Sequence, residues 1–315
     1  MKTTFKNQTE IFRISFVLIL LLSLFNTSFA QSRGEVIQSL KFQSQLLDTT
    51  INYTIYLPPF YGKDTTQTYP VFYLLHGYTD NETAWVNKGW VDQAADQGII
   101  AGQVEKMIII MPDGGLLWYL NQPNGKYNYE DMFMNELIPF IDKTYRTKPE
   151  RKYRAIGGLS MGGFGALGYS MRHPTVFSAC VAFSSGIRPD DETVLIPQKR
   201  FDRLYKPIYG ENVQGKDRLS KHWNENNPLY LAKTLSEEQL NTTDWYISCG
   251  DDDFLFYGNI MLHKTFRDRK IKHEFRVYDG GHNWNYWRPY IGEGLNFITN
   301  SFRKASDLTE TKTGN

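Results

Sequence analysis

Residues 152–172 read KYRAIGGLSMGGFGALGYSMR, and this stretch decides the fold. Its first five residues are strand-like, and the small and apolar residues from Met161 onward predict a helix. Between them, Gly158, Ser160 and Gly162 form a G-x-S-x-G motif in the strand–turn–helix context that gives the motif its meaning. The sequence therefore predicts a strained Ser160 with its hydroxyl exposed at a helix N-terminus. A glycine-rich turn without a catalytic serine is the alternative interpretation.

The first thirty residues have the composition of a secretory signal peptide. Three basic residues precede an apolar run at residues 14–25, and Ser28 and Ala30 supply the small residues that a signal peptidase requires three and one positions before its cleavage point. The run is about a dozen residues long, which is shorter than a membrane-spanning helix requires. We expect residues 1–30 to be removed and the mature protein to be secreted or periplasmic, without a stable membrane anchor. An uncleaved N-terminal anchor is the alternative.

Charge and cysteine usage argue against several classes of protein. The chain has 315 residues, of which 35 are basic and 34 acidic, and it has no basic patch of the kind that nucleic acid requires. Its two cysteines, Cys180 and Cys249, lie inside apolar strand-like runs, which favours buried free thiols over a disulfide. No metal-ligand motif occurs, and we predict neither a metal site nor a cofactor.

Strand-like runs alternate with helical patterns along most of the chain. This alternation predicts an α/β fold with a mostly parallel central sheet flanked by helices. The strand-like runs are Tyr53–Leu57, Val71–Leu75, Met107–Met111, Lys152–Ile156, Ser178–Phe183, Trp245–Cys249 and Glu274–Tyr278, and the clearest helical patterns are Glu130–Tyr145, Met161–Arg172, Leu255–Lys270 and Tyr290–Lys304.

One segment breaks this alternation. Residues 186–243 contain scattered prolines and no convincing strand. Because a structureless loop of this length is improbable, we expect a mainly helical insertion. It would serve either as a substrate-binding lid or as a cover for the sheet edge. The catalytic domain is expected to span residues 31–305, followed by a polar, disordered tail at residues 306–315.

A serine hydroxyl becomes a nucleophile only beside a base, which a carboxylate must orient. In hydrolases with this elbow, the chain order is serine, acid, histidine. His282 follows the last strand-like run in a glycine-rich loop, where the base is expected; a structural loop histidine is the alternative. The acid should follow the preceding strand, where Asp251, Asp252 and Asp253 are adjacent. Chemistry alone leaves all three open, and we favour Asp253.

Two backbone N–H groups are expected to hold the negative charge of the tetrahedral intermediate. One belongs to Met161, directly after the nucleophile, and the other to Tyr78, in the loop after an early strand. His76 in that same loop is expected to support it without transferring protons.

Most of the seven tryptophans fall in loops after strands or in the insertion. Because the carboxyl ends of parallel strands meet at one edge, these segments should crowd the edge that carries Ser160. Trp118, Trp284 and Trp287 are therefore candidates for an aromatic cleft that binds a phenolic acyl group or a sugar ring. Simple packing between long loops is the alternative.

Further short motifs accompany these candidates between about Gln38 and Phe302. They are Leu75-His76-Gly77, Ile110-Met111-Pro112-Asp113, Tyr129-Glu130-Asp131, Glu136-Leu137-Ile138-Pro139, residues 154–163, Cys249-Gly250 with Asp253, and Gly280-Gly281-His282 with Trp287.

Together these motifs resemble the putative-esterase family of the α/β-hydrolases. That family includes feruloyl and acetylxylan esterases of carbohydrate esterase family 1, S-formylglutathione hydrolases and mycolyltransferases. The resemblance implies an α/β-hydrolase fold. It implies Asp253 as the acid, because the acid of feruloyl-esterase relatives stands three residues after the strand-ending glycine. It also implies that Trp284 and Trp287 lie near the acyl pocket.

The expected function is that of a secreted serine carboxylic-ester hydrolase. It would remove feruloyl or acetyl groups from plant polysaccharide through an acyl-enzyme, so its partner is a small-molecule or polysaccharide ester. The alternatives are a thioesterase similar to S-formylglutathione hydrolase, which the signal peptide argues against, an acyltransferase, and an inactive binding protein with the same fold.

Overall fold

The computed structural model describes residues 33–63, 65–210 and 213–313. The predicted signal peptide, residues 1–30, lies outside these residues. Within the described ranges, no helix has the length and apolar character needed to cross a membrane.

Within the residues that the structure describes, one mixed sheet of eight strands forms the centre of the fold. The strands lie side by side in the order β1-β2-β4-β3-β5-β6-β7-β8. Strand β2 is antiparallel to both of its neighbours, and all pairs from β4 to β8 are parallel. The predicted α/β fold with a mostly parallel sheet is therefore confirmed. The strands are β1 Glu35–Ser44, β2 Thr49–Leu57, β3 Val71–Leu75, β4 Ile108–Pro112, β5 Arg154–Leu159, β6 Ala179–Phe183, β7 Asp244–Gly250 and β8 His273–Tyr278.

Helices follow most of the parallel strands. Before the insertion they are α1 Ala84–Asn87, α2 Val91–Ile100, α3 Tyr129–Met132, a π-helical turn at Phe133–Leu137, α4 Ile138–Thr144, a 3₁₀ turn at Arg151–Tyr153 and α5 Met161–Arg172. Within and after it they are α6 Asp190–Leu195, α7 Gln198–Tyr209, a 3₁₀ turn at Gly215–Arg218, α8 Lys221–Asn226, α9 Pro228–Thr234, α10 Glu237–Leu240, α11 Phe256–Asp268 and α12 Trp284–Thr313.

Each face of the sheet carries its own hydrophobic core, because successive side chains of a strand point to opposite faces. Along β3, Tyr73 packs into a core with α5, α11 and the insertion, whereas Phe72 packs into a core with α2 and α12. All five residues of β3 are buried, as a central strand covered on both faces requires.

The structure bears on two expectations about the organisation of the chain, and it adds one strand. The 186–243 insertion is mainly helical, as predicted, and Phe201, Tyr205 and Trp223 extend the first core into it. Helix α12 continues to Thr313, so most of the segment expected to be a disordered tail is helical. Strand β1 was not predicted. It is an edge strand with many exposed residues, and a bulge at Ser39 interrupts its alternation.

Candidate active site

The turn between β5 and α5 holds Ser160 in a backbone conformation that non-glycine residues rarely adopt. Its φ is 52° and its ψ is −116°, so the position is strained. A Cβ on Gly158 would lie 2.6 Å from the backbone of Gly162, and a Cβ on Gly162 would collide with the carbonyl oxygen of Leu75. The two glycines therefore let strand, turn and helix approach closely enough to lift the serine out of the sheet.

Three candidate side chains from distant parts of the chain form a hydrogen-bonded series. The Oγ of Ser160 lies 2.9 Å from Nε2 of His282. The Nδ1 of that imidazole lies 2.8 Å and 3.0 Å from the two carboxylate oxygens of Asp253. When Nδ1 carries the proton and donates it to the carboxylate, Nε2 is left to accept from the serine hydroxyl. This arrangement can generate a serine nucleophile.

The three consecutive aspartates have different surroundings. The carboxylate of Asp253 is buried, and its Oδ1 also accepts a hydrogen bond from the Leu255 N–H at 2.8 Å. Asp251 and Asp252 are exposed, and the Oδ1 of Asp251 accepts from the Gly280 N–H at 3.0 Å. The structure thus brings Asp253 to His282 and leaves the other two at the surface.

The exposed aspartates bear on the question of a metal. Among the described residues, one group of three or more His, Cys, Asp or Glu side chains lies close enough together to share an ion, and it consists of Asp251, Asp252 and Asp279. All three are exposed, and exposed acidic groups commonly lie together without a metal. We assign no metal to this group.

The two predicted backbone donors have no acceptor in the described part of the chain. Neither the Tyr78 N–H nor the Met161 N–H donates to a protein atom there. The loop of Tyr78 lies against the elbow, since a Cβ on Gly77 would be 3.6 Å from the Cβ of Ser160. The two N–H groups are therefore free to bind an oxyanion.

His76 links this loop to the loop after β4. The buried ring accepts at Nε2 from the Gly114 N–H at 2.8 Å, and its Nδ1 lies 2.8 Å from the Gly77 carbonyl oxygen. The carboxylate of Asp113 lies 3.2 Å from Nε2. Burial acts to raise the pKa of Asp113, but the hydrogen bond that its Oδ1 accepts from the Gly115 N–H at 2.9 Å, together with the adjacent His76 ring, holds that pKa below its usual value. His76 thus connects the loop after β3 to the loop after β4, which is the supporting role that we expected.

The three candidate tryptophans differ in how they meet the site. The Trp287 ring lies 4.9 Å from the His282 ring at right angles, and its Nε1 donates to Ser184 Oγ at 2.9 Å. Trp284 stacks edge-to-face against Trp287 at 5.4 Å. Trp118 is only 5% exposed, and its Nε1 donates to the Leu204 carbonyl at 2.9 Å. Trp118 therefore packs the insertion against the elbow. Like Trp287, which is also 5% exposed, it offers little surface to a ligand, whereas Trp284 is half-buried.

Phe254 is a further site residue that the sequence did not single out. Its side chain is 56% exposed, and its ring lies 4.6 Å from the imidazole of His282. The guanidinium groups of Arg188 and Arg200 lie 5.5 Å and 5.9 Å from the Phe254 ring. The sequence did offer one indication that Phe254 lies at the site, because it directly follows Asp253 at the edge of the sheet that carries Ser160.

Comparisons with known proteins relate this chain to esterases. The chain is 25% identical over 269 residues to an acetyl esterase of Caldicellulosiruptor saccharolyticus, which covers 84% of this chain and 98% of that protein. It is 33% identical over 162 residues to an endo-1,4-beta-xylanase/feruloyl esterase of Xylanibacter ruminicola, which covers 50% of this chain and 22% of that protein.

Among solved structures, a ferulic acid esterase superposes with a TM-score of 0.73 at 31% identity, covering 86% of this chain and 99% of its own. An S-formylglutathione hydrolase from Staphylococcus aureus superposes with a TM-score of 0.65 at 19% identity, covering 84% and 99%, and shares the fold. A family model described as Putative esterase matches residues 44–298. The chain therefore belongs to the putative esterase family of the α/β-hydrolases and is a carboxylic ester hydrolase.

Proposed function

We propose that this protein is a secreted serine esterase that removes feruloyl or acetyl groups from plant polysaccharide. The observation that carries the proposal is the series of hydrogen bonds from Asp253 through His282 to Ser160. The unpaired N–H groups of Tyr78 and Met161 beside the elbow support it further. The signal-peptide composition of residues 1–30 supports an exported enzyme.

In the first half of the reaction, Ser160 Oγ attacks the ester carbonyl while His282 Nε2 takes its proton. The carbonyl oxygen becomes an oxyanion between the Tyr78 and Met161 N–H groups, each contributing roughly 10²–10³-fold in rate. The imidazolium then gives its proton to the departing alcohol, and an acyl-enzyme remains. Asp253 keeps the ring in the required tautomer and stabilises its charged form.

In the second half, water replaces the alcohol. His282 removes a proton from the water as it attacks the acyl-enzyme, and the free acid leaves when the Ser160 oxygen takes that proton back. The cycle needs no group beyond these side chains, the two backbone donors and water.

Feruloyl and acetyl groups are proposed because of two kinds of support. Relatives carry the names acetyl esterase, feruloyl esterase and ferulic acid esterase. Exposed Phe254 and half-buried Trp284 also offer aromatic surface near His282, to which a phenolic or sugar ring can stack.

The test compares the wild type with Ser160→Ala on methyl ferulate, acetylated xylan, p-nitrophenyl butyrate and S-formylglutathione. We expect wild-type turnover of the first two, and loss of nearly all turnover and fluorophosphonate labelling in Ser160→Ala. Ser170→Ala, ten positions further along and within α5, is the matched control and should retain both.

Each other outcome has a defined meaning. Labelling or turnover retained in Ser160→Ala would contradict the serine mechanism. Hydrolysis confined to S-formylglutathione would replace the proposed substrate class with thioesters, and transfer of the acyl group to a sugar acceptor would indicate an acyltransferase.

A further inference from the structure

A groove of about 530 Å³ lies between α2 and α12, on the sheet face opposite to the insertion. It continues into a second hollow of about 490 Å³, which shares Gln103 and Gly292 with it. A Cβ on Gly292 would meet no atom within 4 Å, so the helix surface there is open. The side chains that give the first part its chemistry are Trp90, Gln93, Gln97, Gln103 and Arg288.

Trp90 presents an aromatic surface to this groove, and its backbone adopts a conformation that is unfavourable for a residue of its size. Its side chain is 46% exposed, and its φ of 53° and ψ of 37° place it in the left-handed region. That region is a genuine outlier for a bulky residue, and Asn or Gly is the usual occupant. The guanidinium of Arg288 lies 4.0 Å from the indole centroid, and its Nε donates to the Lys88 carbonyl at 2.7 Å. The ring is thereby held in place at the groove entrance.

Three amide side chains accompany the indole. The side chains of Gln93, Gln97 and Gln103 are exposed and form no hydrogen bond with any described residue. Gln93 and Gln97 are four positions apart on α2 and thus share a face. Each amide offers two donors and an acceptor. An aromatic face with several uncommitted amides suits a neutral sugar chain, because its C–H faces stack and its hydroxyls hydrogen-bond.

The groove begins next to the active site. Arg288 lies one helical turn after Trp284, which packs against Trp287 and so connects to His282. Trp284 also lies against Gly89, just before Trp90. From Arg288 to the far end of the second hollow at Asn300, the helix spans roughly 18 Å at 1.5 Å per residue, enough for several sugar rings.

We propose that this groove binds the backbone of a neutral polysaccharide and holds the chain whose ester reaches Ser160. The inference rests on the proposed function, because it supplies the same substrate with a second point of attachment. The cation at its entrance, Arg288, is engaged by Trp90 and the Lys88 carbonyl. In the second hollow, Arg276 is paired with Glu274, and the Glu293 carboxylate accepts from the hydroxyls of Tyr246 and Tyr278. The charged groups that line the groove therefore already have protein partners, and none requires a charged ligand.

The experiment uses two variants in the Ser160→Ala background, and measures retardation in native gels that contain soluble xylan. Trp90→Asn removes the indole with a residue that suits both the left-handed backbone and the first position before a helix. Gly292→Trp fills the open groove. We expect each to weaken xylan binding at least about fivefold, while Trp90→Asn keeps or raises the melting temperature.

Phe60→Ala is the matched control, because Phe60 is 42% exposed and also lies beneath cations, Lys63 and Lys106, elsewhere on the surface. It should bind xylan as the parent does. Xylan binding unchanged in both groove variants, or absent in the parent, would overturn the proposal. In the Ser160-containing enzyme, both groove variants should hydrolyse methyl ferulate normally and acetylated xylan more slowly.

Binding is read without turnover, so the two hypotheses fail separately. A wild type that binds xylan through the groove but cleaves none of its esters would refute the proposed function alone. If the wild type and both groove variants cleave xylan esters equally well, the groove proposal is refuted and the proposed function stands.

Discussion

The hydroxyl of Tyr78 donates to the carbonyl oxygen of Arg203 at 3.1 Å, joining the loop after β3 to helix α7 of the insertion. Pro207 lies four residues further along that helix and has no N–H, so the Arg203 carbonyl lacks its helical donor. The tyrosine fills this gap. Because the Tyr78 N–H is a proposed oxyanion donor, the insertion is connected to the position of that donor.

Replacing Tyr78 with Phe tests this connection. The backbone N–H stays, but the hydrogen bond to Arg203 is lost, which is worth about 1 kcal/mol. We expect kcat/KM for methyl ferulate to fall about fivefold, with the loss mainly in kcat. Tyr230→Phe, at a tyrosine that is 42% exposed, is the control. Equal kinetics for the two variants would show that the insertion does not position the donor.

The proposed role of Asp253 predicts that its replacement lowers kcat far more than replacement of the adjacent Asp252. In Asp253→Asn the amide can donate to Nδ1, which favours the wrong tautomer of His282 and should lower kcat by roughly 10³–10⁴-fold. Asp252→Asn changes an exposed carboxylate and should leave kcat for p-nitrophenyl acetate within about twofold of wild type. A large loss in Asp252→Asn and a small one in Asp253→Asn would reverse the assignment.

Glu130 stabilises the fold in a pH-dependent way. This buried carboxylate accepts from Arg172 at 2.9 Å and 2.7 Å and lies 2.7 Å from His173 Nε2. Burial acts to raise its pKa, but the charge of Arg172 and the hydrogen bonds from both partners hold it below the ordinary 4.5. Its contribution is therefore complete above about pH 4.5 and is lost as the pH falls through the lower folded value.

Glu130→Gln should lower the free energy of unfolding at pH 7 by about 3–5 kcal/mol, because it leaves the Arg172 guanidinium without its carboxylate. The loss of stability on acidification should also become shallower. Urea unfolding at pH 7 and pH 4 measures both effects. Glu225→Gln, which breaks an exposed pair with Lys221, should change little at either pH. Parallel pH curves for Glu130→Gln and wild type would contradict this account.

Replacement by alanine should destabilise the protein at Gly162 in the elbow and stabilise it at Gly292 in the groove. Gly162→Ala places a Cβ against backbone atoms of Leu75 and His76, and backbone cannot move aside cheaply. We expect poor soluble yield or a melting temperature lowered by several degrees. Gly292→Ala meets open space within a helix and should stabilise by roughly 0.5–1 kcal/mol. Equal melting temperatures for the two variants would show that the strand and helix at the elbow can move apart to accommodate a Cβ at Gly162.

Much of the sheet could be predicted because its central strands are marked by local composition. The strand-like run Val71–Leu75 matches β3 residue for residue, and all its side chains are buried. Strand β1 lacks such a run because it lies at the sheet edge and a bulge interrupts it. Helix α2 was also missed. Its N-cap is a left-handed Trp90, whereas the usual start signal is a short polar residue.

The sequence by itself determined the elbow, since Gly158, Ser160 and Gly162 and their flanking strand and helix lie within one short segment. It also predicted His282 as the candidate base and left three neighbouring aspartates as candidates for the acid. Only the tertiary structure decided that Asp253 meets His282 and that Trp118 is packed away while Phe254 is exposed. These outcomes depend on how a turn orients consecutive side chains toward segments far along the chain, and no local pattern records that packing.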